Sequence, residues 1–288
     1  MIDLTPWNDP APLPRLVVER AVRTALEEDL GGSGDITSLA CVPETAQSQA
    51  QIVSRGDGIL AGVDAVRCAF ELVDPKLSVE IVADDGADVQ PQDVIARVQG
   101  SARSVLAAER TALNFLAQLS GVATLTRRYV DAVDGTLARI AATRKTVPGL
   151  RALQKHAVRV GGGVAHRFGL DDAVLIKDNH IAVAGGIAKA MRAAQGRAGH
   201  MVRLAVEVDT LDQLDAVLPL RPDVVLLDNF FLEDLEEAVR RTAGAVVLEA
   251  SGGVTLETVR AIAETGVDVV SVGALTHSSR ALDVGLDF

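Results

Sequence analysis

The sequence predicts an α/β protein in which a small α+β domain precedes a barrel of parallel strands. Residues 50–100 contain short strand-like runs separated by Gly, Asp and Pro. After Gly135, six β-rich runs alternate with helical segments, which calls for parallel strands joined by crossover helices. With 288 residues, 48% of them hydrophobic and 23% charged, the chain can form one or two domains with a large core.

The first region begins with an amphipathic helix. Apolar side chains recur at helical spacing over residues 13–30 and stop at Gly31-Gly32, a glycine C-cap. The segment GSGDITS (32–38) is typical of a turn. The runs AQIVSR, GILAGV, SVEIVA and DVIARV predict strands, and AVRCAFELV predicts a helix among them. This region is therefore expected to form the small α+β domain.

Residues 84–100, DDGADVQPQDVIARVQG, look like the hairpin of a biotinyl or lipoyl carrier. Such carriers attach the prosthetic group to a lysine at the tip of the turn. No lysine lies between Lys76 and Lys145, so the sequence offers no attachment point. A carrier function is therefore excluded.

Residues 102–132 have apolar positions at helical spacing and no proline. They predict either one long helix or two helices broken near Ser120-Gly121. Arg110 lies on this segment among apolar neighbours. The spacing favours a cation on the helix surface, and the alternative is a side chain that reaches into a site on another subunit.

The six β-rich runs after Gly135 are ARIAAT, DAVLIKD, RLAVEVD, DVVLLDN, AVVLEAS and DVVSVG. Each of them ends in polar or glycine residues: Arg144-Lys145, Lys177-Asp178, Glu207, Asp228, Ser251-Gly252-Gly253 and Gly273. From Glu207 onward these endings follow at intervals of 21, 23 and 22 residues, the period of a compact strand-helix unit. Because parallel strands end on one face of a barrel, we expect these residues to form an active site on the C-terminal rim.

Glycines after the last two strands predict a phosphate site. In EASGGVT and SVGALTHS, glycine follows a strand and precedes a helix, so backbone N–H groups can hold a phosphate. Glu207 and Asp228, at the ends of adjacent strands, suit ribose hydroxyls or a hydrated Mg²⁺. The alternative interpretation of Glu207 and Asp228 is that they are strand-end carboxylates paired with nearby arginines.

The region from Arg139 to Arg203 contains twelve Lys or Arg against three Asp and no Glu, a balance of +9 in a chain of net charge −11. This reversal predicts a small anionic ligand. The planar guanidinium groups of Arg144 and Arg167 suit carboxylates. His166 is open to a functional or a structural interpretation, whereas His156, within a helical stretch, is interpreted as structural.

Composition excludes several other classes. The cationic region from Arg139 to Arg203 has Phe168 as its sole aromatic residue, whereas a nucleic-acid groove needs aromatic platforms. Residues 1–15 have neither a basic nor an apolar signal segment, and the apolar runs are too short to span a membrane, so a cytoplasmic protein is expected. The spacing of the histidines and cysteines predicts no metal cluster, and Cys41 and Cys68 are interpreted as buried, inert thiols.

Several motifs together resemble one enzyme family. The blocks TRKTVPGLRALQKHAVRVGGG and HRFGLDDAVLIKDNH are followed by AVEVDT, LLDNF, EASGGVT and SVGALTHS, and they are preceded by EEDLGGSGDITS and AERTALNFLAQLSG. In this order, from about Val18 to the C-terminus, the chain resembles the quinolinate phosphoribosyltransferase family.

The resemblance implies a fold and an activity. The fold is an N-terminal α/β open sandwich in residues 1–115, with residues 275–288 packed against it, and an incomplete, seven-stranded α/β barrel in residues 116–274. The activity is one step of NAD biosynthesis. In this step quinolinate reacts with phosphoribosyl pyrophosphate, in the presence of Mg²⁺, to give nicotinate mononucleotide, pyrophosphate and CO₂. The resemblance also implies a homodimer, or a higher oligomer, in which Arg110 completes the partner's site; this reverses the surface interpretation of Arg110.

The resemblance further assigns a role to each matching residue. The quinolinate pocket is lined by Thr143, Arg144, Lys145, His166, Arg167 and Lys177. Glu207 and Asp228 handle the ribose and the metal, and with Lys145 they are the catalytic residues. The 5′-phosphate is held by Ser251, Gly252, Gly253, Val272, Gly273 and Ala274.

Two other hypotheses remain. The first is a barrel phosphoribosyl enzyme for another anionic aromatic acid, such as nicotinate, but the excess of arginine favours a substrate with two carboxylates. The second is a non-catalytic scaffold built on the carrier-like domain. A non-catalytic scaffold would not need glycines that form a phosphate site, whereas the sequence contains such glycines.

Overall fold

A computed structural model describes residues 11–288 of the chain. The N-terminal segment 1–15 was interpreted as lacking an export signal, and residues 1–10 of it lie outside the described residues. The described chain divides into two compact units. The N-terminal unit comprises residues 11–127, Thr146–Gly162 and Leu275–Phe288, and the barrel unit comprises Arg128–Lys145 and Gly163–Ala274.

The secondary structure follows in chain order. The first nine elements are α1 (Arg15–Leu30), α2 (Ile36–Cys41), β1 (Gln47–Ser54), β2 (Gly58–Ile59), α3 (Val63–Val73), β3 (Ser78–Ile81), β4 (Asp88–Val89), β5 (Val94–Ser101) and α4 (Ala102–Ala132). The others are β6 (Arg139–Ala141), α5 (Arg151–Val160), β7 (Val174–Ile176), α6 (Asp178–Ala184), α7 (Ile187–Arg197), β8 (Leu204–Val208), α8 (Leu211–Val217), β9 (Val224–Asp228), α9 (Leu232–Thr242), β10 (Val247–Ser251), α10 (Val259–Glu264), β11 (Val269–Ser271), α11 (Ala274–His277) and β12 (Val284–Asp287).

The N-terminal unit contains an antiparallel sheet in the order β12-β1-β5-β3 and a separate pair of short strands, β2 and β4. The predicted strands and the helix α3 among them are confirmed. Fully buried side chains from the strands, from α3 and α4 and from the residue after β2 form the core: Ile52, Leu60, Phe70, Ile95, Leu116 and Leu119. Burial of this apolar surface supplies the main driving force for the fold of the unit.

Helix α1 ends as predicted, since Gly31 has a positive φ of 53° and donates its N–H to Glu27. The segment predicted as a turn is only partly one. Asp35 caps α2, because its Oδ1 accepts the N–H groups of Thr37 (3.1 Å) and Ser38 (3.0 Å). Two unpaired helix donors are satisfied in this way, so a helix begins at Ile36 inside the predicted turn.

The prediction of two buried thiols is half wrong. Cys68 lies buried on α3, and burial raises the pKa of its thiol. Cys41 is exposed, because it is the last residue of the short helix α2, of which only Ser38 is buried. Among the described helices, none combines the length and the apolar character needed to span a bilayer.

Helix α4 is one continuous helix of 31 residues, which decides between the two predicted alternatives. Gly121 does not break it. A Cβ at this position would overlap the carbonyl oxygen of Arg280 and lie 2.9 Å from its carbonyl carbon. The glycine is therefore needed for the close approach of the C-terminal segment, whose Leu282 also donates its N–H to Ala117 at 2.9 Å.

Gly121→Ala is expected to lower the free energy of unfolding by about 1–3 kcal/mol, because backbone atoms cannot move aside as a flexible side chain can. Gly196→Ala in α7 is the matched control, since no atom lies within 4 Å of the added Cβ. That control is expected to raise the free energy of unfolding by up to about 1 kcal/mol. Calorimetric melting of the two variants measures this difference, and equal melting temperatures would contradict the packing explanation.

The barrel unit contains a parallel sheet in the order β6-β11-β10-β9-β8-β7. All six strands coincide with the runs predicted from the sequence. The first strand of this sheet, β6, pairs with the last, β11, as expected for strands arranged in a barrel. Strand residues such as Ile140, Val206, Leu227 and Leu248 are buried, as expected for parallel strands covered on both faces.

The seventh strand implied by the resemblance is reduced to a single residue. Val164 forms an isolated parallel bridge with Ala141, on the edge of β6 that β11 does not occupy. The surrounding sequence, GGGVAHRFG, has four glycines and two charged or ionisable residues, so it lacks the apolar run that a longer strand needs. In the described part of the chain the barrel is therefore incomplete at this point.

Candidate active site

The carboxyl ends of the six parallel strands lie at one edge of the sheet. Ser251, the last residue of β10, pairs directly with Asp228, the last residue of β9. On β8, which is parallel to β9, Glu207 pairs with Leu226, two residues before Asp228. All the predicted site residues except Arg110 belong to the barrel unit. The predicted gathering of strand ends on one rim thus follows from the sheet topology.

Two half-buried arginines lie close together on this rim. Burial lowers the pKa of Arg167, and the positive charge of Arg144 lowers it further, against an opposing effect of Asp172. The Nε atoms of both guanidinium groups are buried and have no hydrogen-bond partner among the described residues. Two adjacent cations with unsatisfied donors are unfavourable by themselves, so the arrangement favours the binding of an anion.

The loop that carries these groups is held by hydrogen bonds of its own. Asp172 Oδ1 accepts the N–H of Gly169 at 3.0 Å, and its other oxygen accepts the N–H of Phe168. Although burial opposes it, these two N–H donors hold the pKa of Asp172 below its usual value. Arg167 Nη1 donates to the carbonyl of Ala173 at 3.1 Å. The guanidinium of Arg167 is thereby fixed in position before any ligand arrives.

Lys177 and Glu207 form a direct ion pair, with Nζ 2.6 Å from Oε2. The resemblance assigned Lys177 to the quinolinate pocket and Glu207 to the ribose and the metal, whereas the structure pairs the two side chains directly. The Lys177 side chain is 46% exposed and that of Glu207 only 10% exposed. A ligand can therefore reach the ammonium group while the carboxylate stays anchored at the base of the site.

His166 lies beside a residue that the sequence interpretation missed. Its Nε2 is 3.5 Å from Oε1 of Glu249, which is only 5% exposed and lies on β10. A signal was present in the run AVVLEAS, where a glutamate interrupts apolar residues two positions before Ser251. Because alternate residues of a strand share a face, this spacing places Glu249 one step below Ser251. The side chain of Glu249 belongs to the floor of the site.

The glycine loop after β10 has the backbone conformation expected of an anion site. Gly252 and Gly253 have positive φ values of 99° and 57°, which side chains rarely tolerate. A Cβ at Gly252 would overlap Oδ1 of Asn229, whereas open space surrounds the Cβ position of Gly253. Because neither residue has a side chain, a phosphate can closely approach the backbone N–H groups of this loop.

The second loop follows β11. The N–H of Val272 donates to the carbonyl of Ala141 at 2.9 Å, so it is used by the sheet. Any backbone N–H contact from this loop to a ligand would come from residues after Val272. Gly273 and Ala274 stand at the start of the short helix α11.

Two other candidates belong to the N-terminal unit. Arg110 is on α4 in the N-terminal unit, with a side chain 63% exposed and Nη2 3.6 Å from Glu109. His156 is buried, and its Nε2 lies 3.0 Å from Oδ2 of Asp85, which confirms the structural interpretation of His156. Among the described residues, no cluster of three or more His, Cys, Asp or Glu could hold a metal ion.

Comparison with known proteins identifies relatives over nearly the whole chain. Residues 35–120 match the family profile described as quinolinate phosphoribosyl transferase, N-terminal domain, and residues 122–287 match the C-terminal domain of the same family. The chain is 48% identical over 271 residues to the nicotinate-nucleotide pyrophosphorylase [carboxylating] of Mycobacterium leprae, covering 92% of this chain and 95% of that protein.

Two further relatives carry the same enzyme name. A probable nicotinate-nucleotide pyrophosphorylase [carboxylating] of Bacillus subtilis is 42% identical over 260 residues, covering 90% of this chain and 89% of that protein. The solved structure of the nicotinate-nucleotide pyrophosphorylase from Francisella tularensis has a TM-score of 0.90 and 41% identity, covering 96% of this chain and 97% of that chain.

Proposed function

Because the chain belongs to the quinolinate phosphoribosyl transferase family, we propose that its rim of strand ends is the site where quinolinate is joined to phosphoribosyl pyrophosphate. The protein is a carboxylating nicotinate-nucleotide pyrophosphorylase: it forms nicotinate mononucleotide and releases pyrophosphate and CO₂. The observation that carries the assignment to this rim is the pair Arg144 and Arg167, whose buried donors lack partners in the described chain.

Quinolinate carries two carboxylates on adjacent ring carbons, so it fits a pocket with two guanidinium groups. Each planar guanidinium can donate two parallel hydrogen bonds to a carboxylate. Arg144 and Arg167 supply these groups, while Thr143, Lys145 and His166 complete the pocket. Binding both carboxylates fixes the plane of the ring and directs its nitrogen toward the ribose C1, which lowers the entropic part of the barrier.

The ribose is held by Glu207 and Asp228. When the ring nitrogen attacks C1 and the bond to pyrophosphate breaks, positive charge develops on the ribose ring. A preorganised carboxylate at this point stabilises that charge more in the transition state than in the ground state. Glu207 is already fixed by Lys177, so little reorganisation is needed. Lys145, which borders the quinolinate pocket, is also proposed to stabilise the leaving pyrophosphate, whose negative charge grows as the bond breaks.

The 5′-phosphate of the ribose is assigned to the backbone of Ser251, Gly252 and Gly253, with Gly273 and Ala274 of the following loop. The positive φ values of both glycines support this assignment. The N–H of Val272 is bonded to the carbonyl of Ala141, so Val272 is proposed to contribute only by setting the position of the loop backbone.

Mg²⁺ is proposed to enter with phosphoribosyl pyrophosphate. The described residues form no cage of three or more ligands, but Mg²⁺ keeps several waters and is commonly bound by one or two carboxylates and by substrate phosphates. Glu207 and Asp228 on neighbouring strands fit this mode. The ion supplies charge neutralisation for the pyrophosphate when it is bound.

Loss of CO₂ needs no nucleophile from the protein. Once its nitrogen is alkylated, the ring is a pyridinium that can accept the electron pair of the breaking C2–carboxylate bond. The carbon then takes up a proton. Neither cysteine lies in the barrel unit, so no cysteine nucleophile is proposed for this step.

The functional unit is proposed to be a homodimer in which Arg110 serves the site of the partner. The exposed position of Arg110 on α4 supports this proposal, since the side chain is available to a second subunit. A cation supplied by the partner would add to the charge that selects a dicarboxylate.

Substrate identity is tested by mixing the purified protein with phosphoribosyl pyrophosphate, Mg²⁺ and either quinolinate or nicotinate. We expect quinolinate to be preferred in kcat/KM by roughly two orders of magnitude or more, because nicotinate leaves one of the two guanidinium groups unpaired. Chromatography of the nucleotide and release of CO₂ report the two products. Turnover of nicotinate without turnover of quinolinate would reject the proposed substrate.

A further inference from the structure

Asn229, the residue that follows β9, has a left-handed backbone, with φ at 57°. Asparagine tolerates this conformation better than most residues, and glycine tolerates it best. The turn by itself therefore explains the presence of Asn or Gly at this position. It does not explain why a side chain is present, since glycine would make the same turn with less strain.

The side chain and backbone of Asn229 contact both halves of the ribose-phosphate site. Its Nδ2 donates to Oδ2 of Asp228 at 2.8 Å. Its backbone N–H donates to the carbonyl of Ser251 at 2.8 Å. Its Oδ1 lies so close to Gly252 that a Cβ there would overlap it.

The side chain does not serve the helix that follows. Helix α9 begins at Leu232, its N-cap is Phe231, and that cap makes no side-chain hydrogen bond. The contacts of the Asn229 amide described above are directed to Asp228 and Gly252 instead. A residue that only ended a strand or started a helix would not need to join these two groups.

We propose that Asn229 is a positioning residue that holds the Asp228 carboxylate and the Ser251–Gly253 loop in one arrangement for phosphoribosyl pyrophosphate. The inference rests on the proposed function of this rim. The hydrogen bond from Nδ2 fixes the rotamer of Asp228, and Oδ1 limits the movement of the loop at Gly252. With both groups preset, binding of the ribose phosphate orders fewer atoms and loses less conformational entropy.

Asn229→Gly is the decisive variant, because it removes the side chain and keeps the left-handed turn. We expect the affinity for phosphoribosyl pyrophosphate to fall about tenfold, the usual effect of losing one hydrogen bond together with the ordering it provides. The affinity for quinolinate is expected to stay within about twofold, since its pocket is assigned to other residues. Titration calorimetry with each ligand, and KM for each substrate, measure the two effects separately.

A second substitution tests the contact with the loop. Gly252→Ala strains a positive φ and also places its Cβ on the Asn229 amide. The affinity for phosphoribosyl pyrophosphate is expected to fall more when Gly252→Ala is made in the wild type than in Asn229→Gly, because the second protein has no amide to overlap. Purely additive effects would mean that the amide does not restrain the loop.

The outcomes separate the inference from the proposed function. Wild-type protein that fails to bind phosphoribosyl pyrophosphate overturns the proposed function, and this inference with it. Normal binding by the wild type and equal binding by Asn229→Gly overturns the inference alone. A matched loss of both ligands with a lowered melting temperature also overturns it, because Asn229 would then support the fold and not one subsite.

Discussion

Proteins carrying Arg110→Ala or Lys145→Ala are each expected to lose about two to three orders of magnitude in kcat, the usual effect of removing a charge that stabilises a transition state. Mixed in equal amounts and allowed to exchange subunits, they are expected to regain activity. Each mixed dimer has one site with Lys145 from one chain and Arg110 from the other, and a second site that lacks both.

The size of the recovery follows from symmetry. Random exchange makes half of the dimers mixed, and one of the two sites in each is intact, so about a quarter of all sites recover. Native mass spectrometry of one isotope-labelled variant measures the exchange. Self-mixing of each variant is the control and should restore nothing. Complete exchange without recovery would show that Arg110 does not serve a partner's site.

Arg144→Lys and Arg167→Lys are each expected to weaken quinolinate binding by roughly ten- to a hundredfold, because a charge-assisted hydrogen bond of about 1.5–3 kcal/mol is lost. Lysine keeps the charge and removes the planar pair of donors, so this substitution tests geometry and not charge. The affinity for phosphoribosyl pyrophosphate is expected to change much less. Titration calorimetry with each ligand measures both affinities.

Arg192→Lys provides the matched control. Arg192 is an exposed residue on α7 of the same unit, so its replacement makes the same change of composition and likewise leaves the net charge unaltered. Circular dichroism and the melting temperature should stay near those of the wild type in all three variants. Unaltered quinolinate affinity in both Arg144→Lys and Arg167→Lys would remove these arginines from the pocket.

Much of the fold was predictable because its signals are local. A parallel strand is covered on both faces, so it appears as a short apolar run, and all six runs after Gly135 form strands of the sheet. Parallel strands end at one edge, which is why Glu207, Asp228 and Ser251 come to neighbouring positions on one rim. The end of α1 at Gly31 follows equally from local backbone preference.

Three features were left open or wrongly predicted, each for its own reason. Gly121 resembles a helix break, yet it lies in a continuous helix because the backbone at Arg280 packs against it. Val164 is limited to one bridge because its neighbours lack apolar residues. Cys41 is exposed because the face of α2 on which it lies is not covered.

By itself, the sequence determined the order of strands and helices, the rim on which the charged residues gather and the family to which the chain is similar. These properties depend on residue type and spacing along the chain. Only the tertiary structure decided that Lys177 pairs with Glu207, that Glu249 lies beside His166 and that Asn229 joins Asp228 to the glycine loop. Such contacts join side chains of different strands or loops, and their distances depend on the register and curvature of the sheet, which no spacing within one segment specifies.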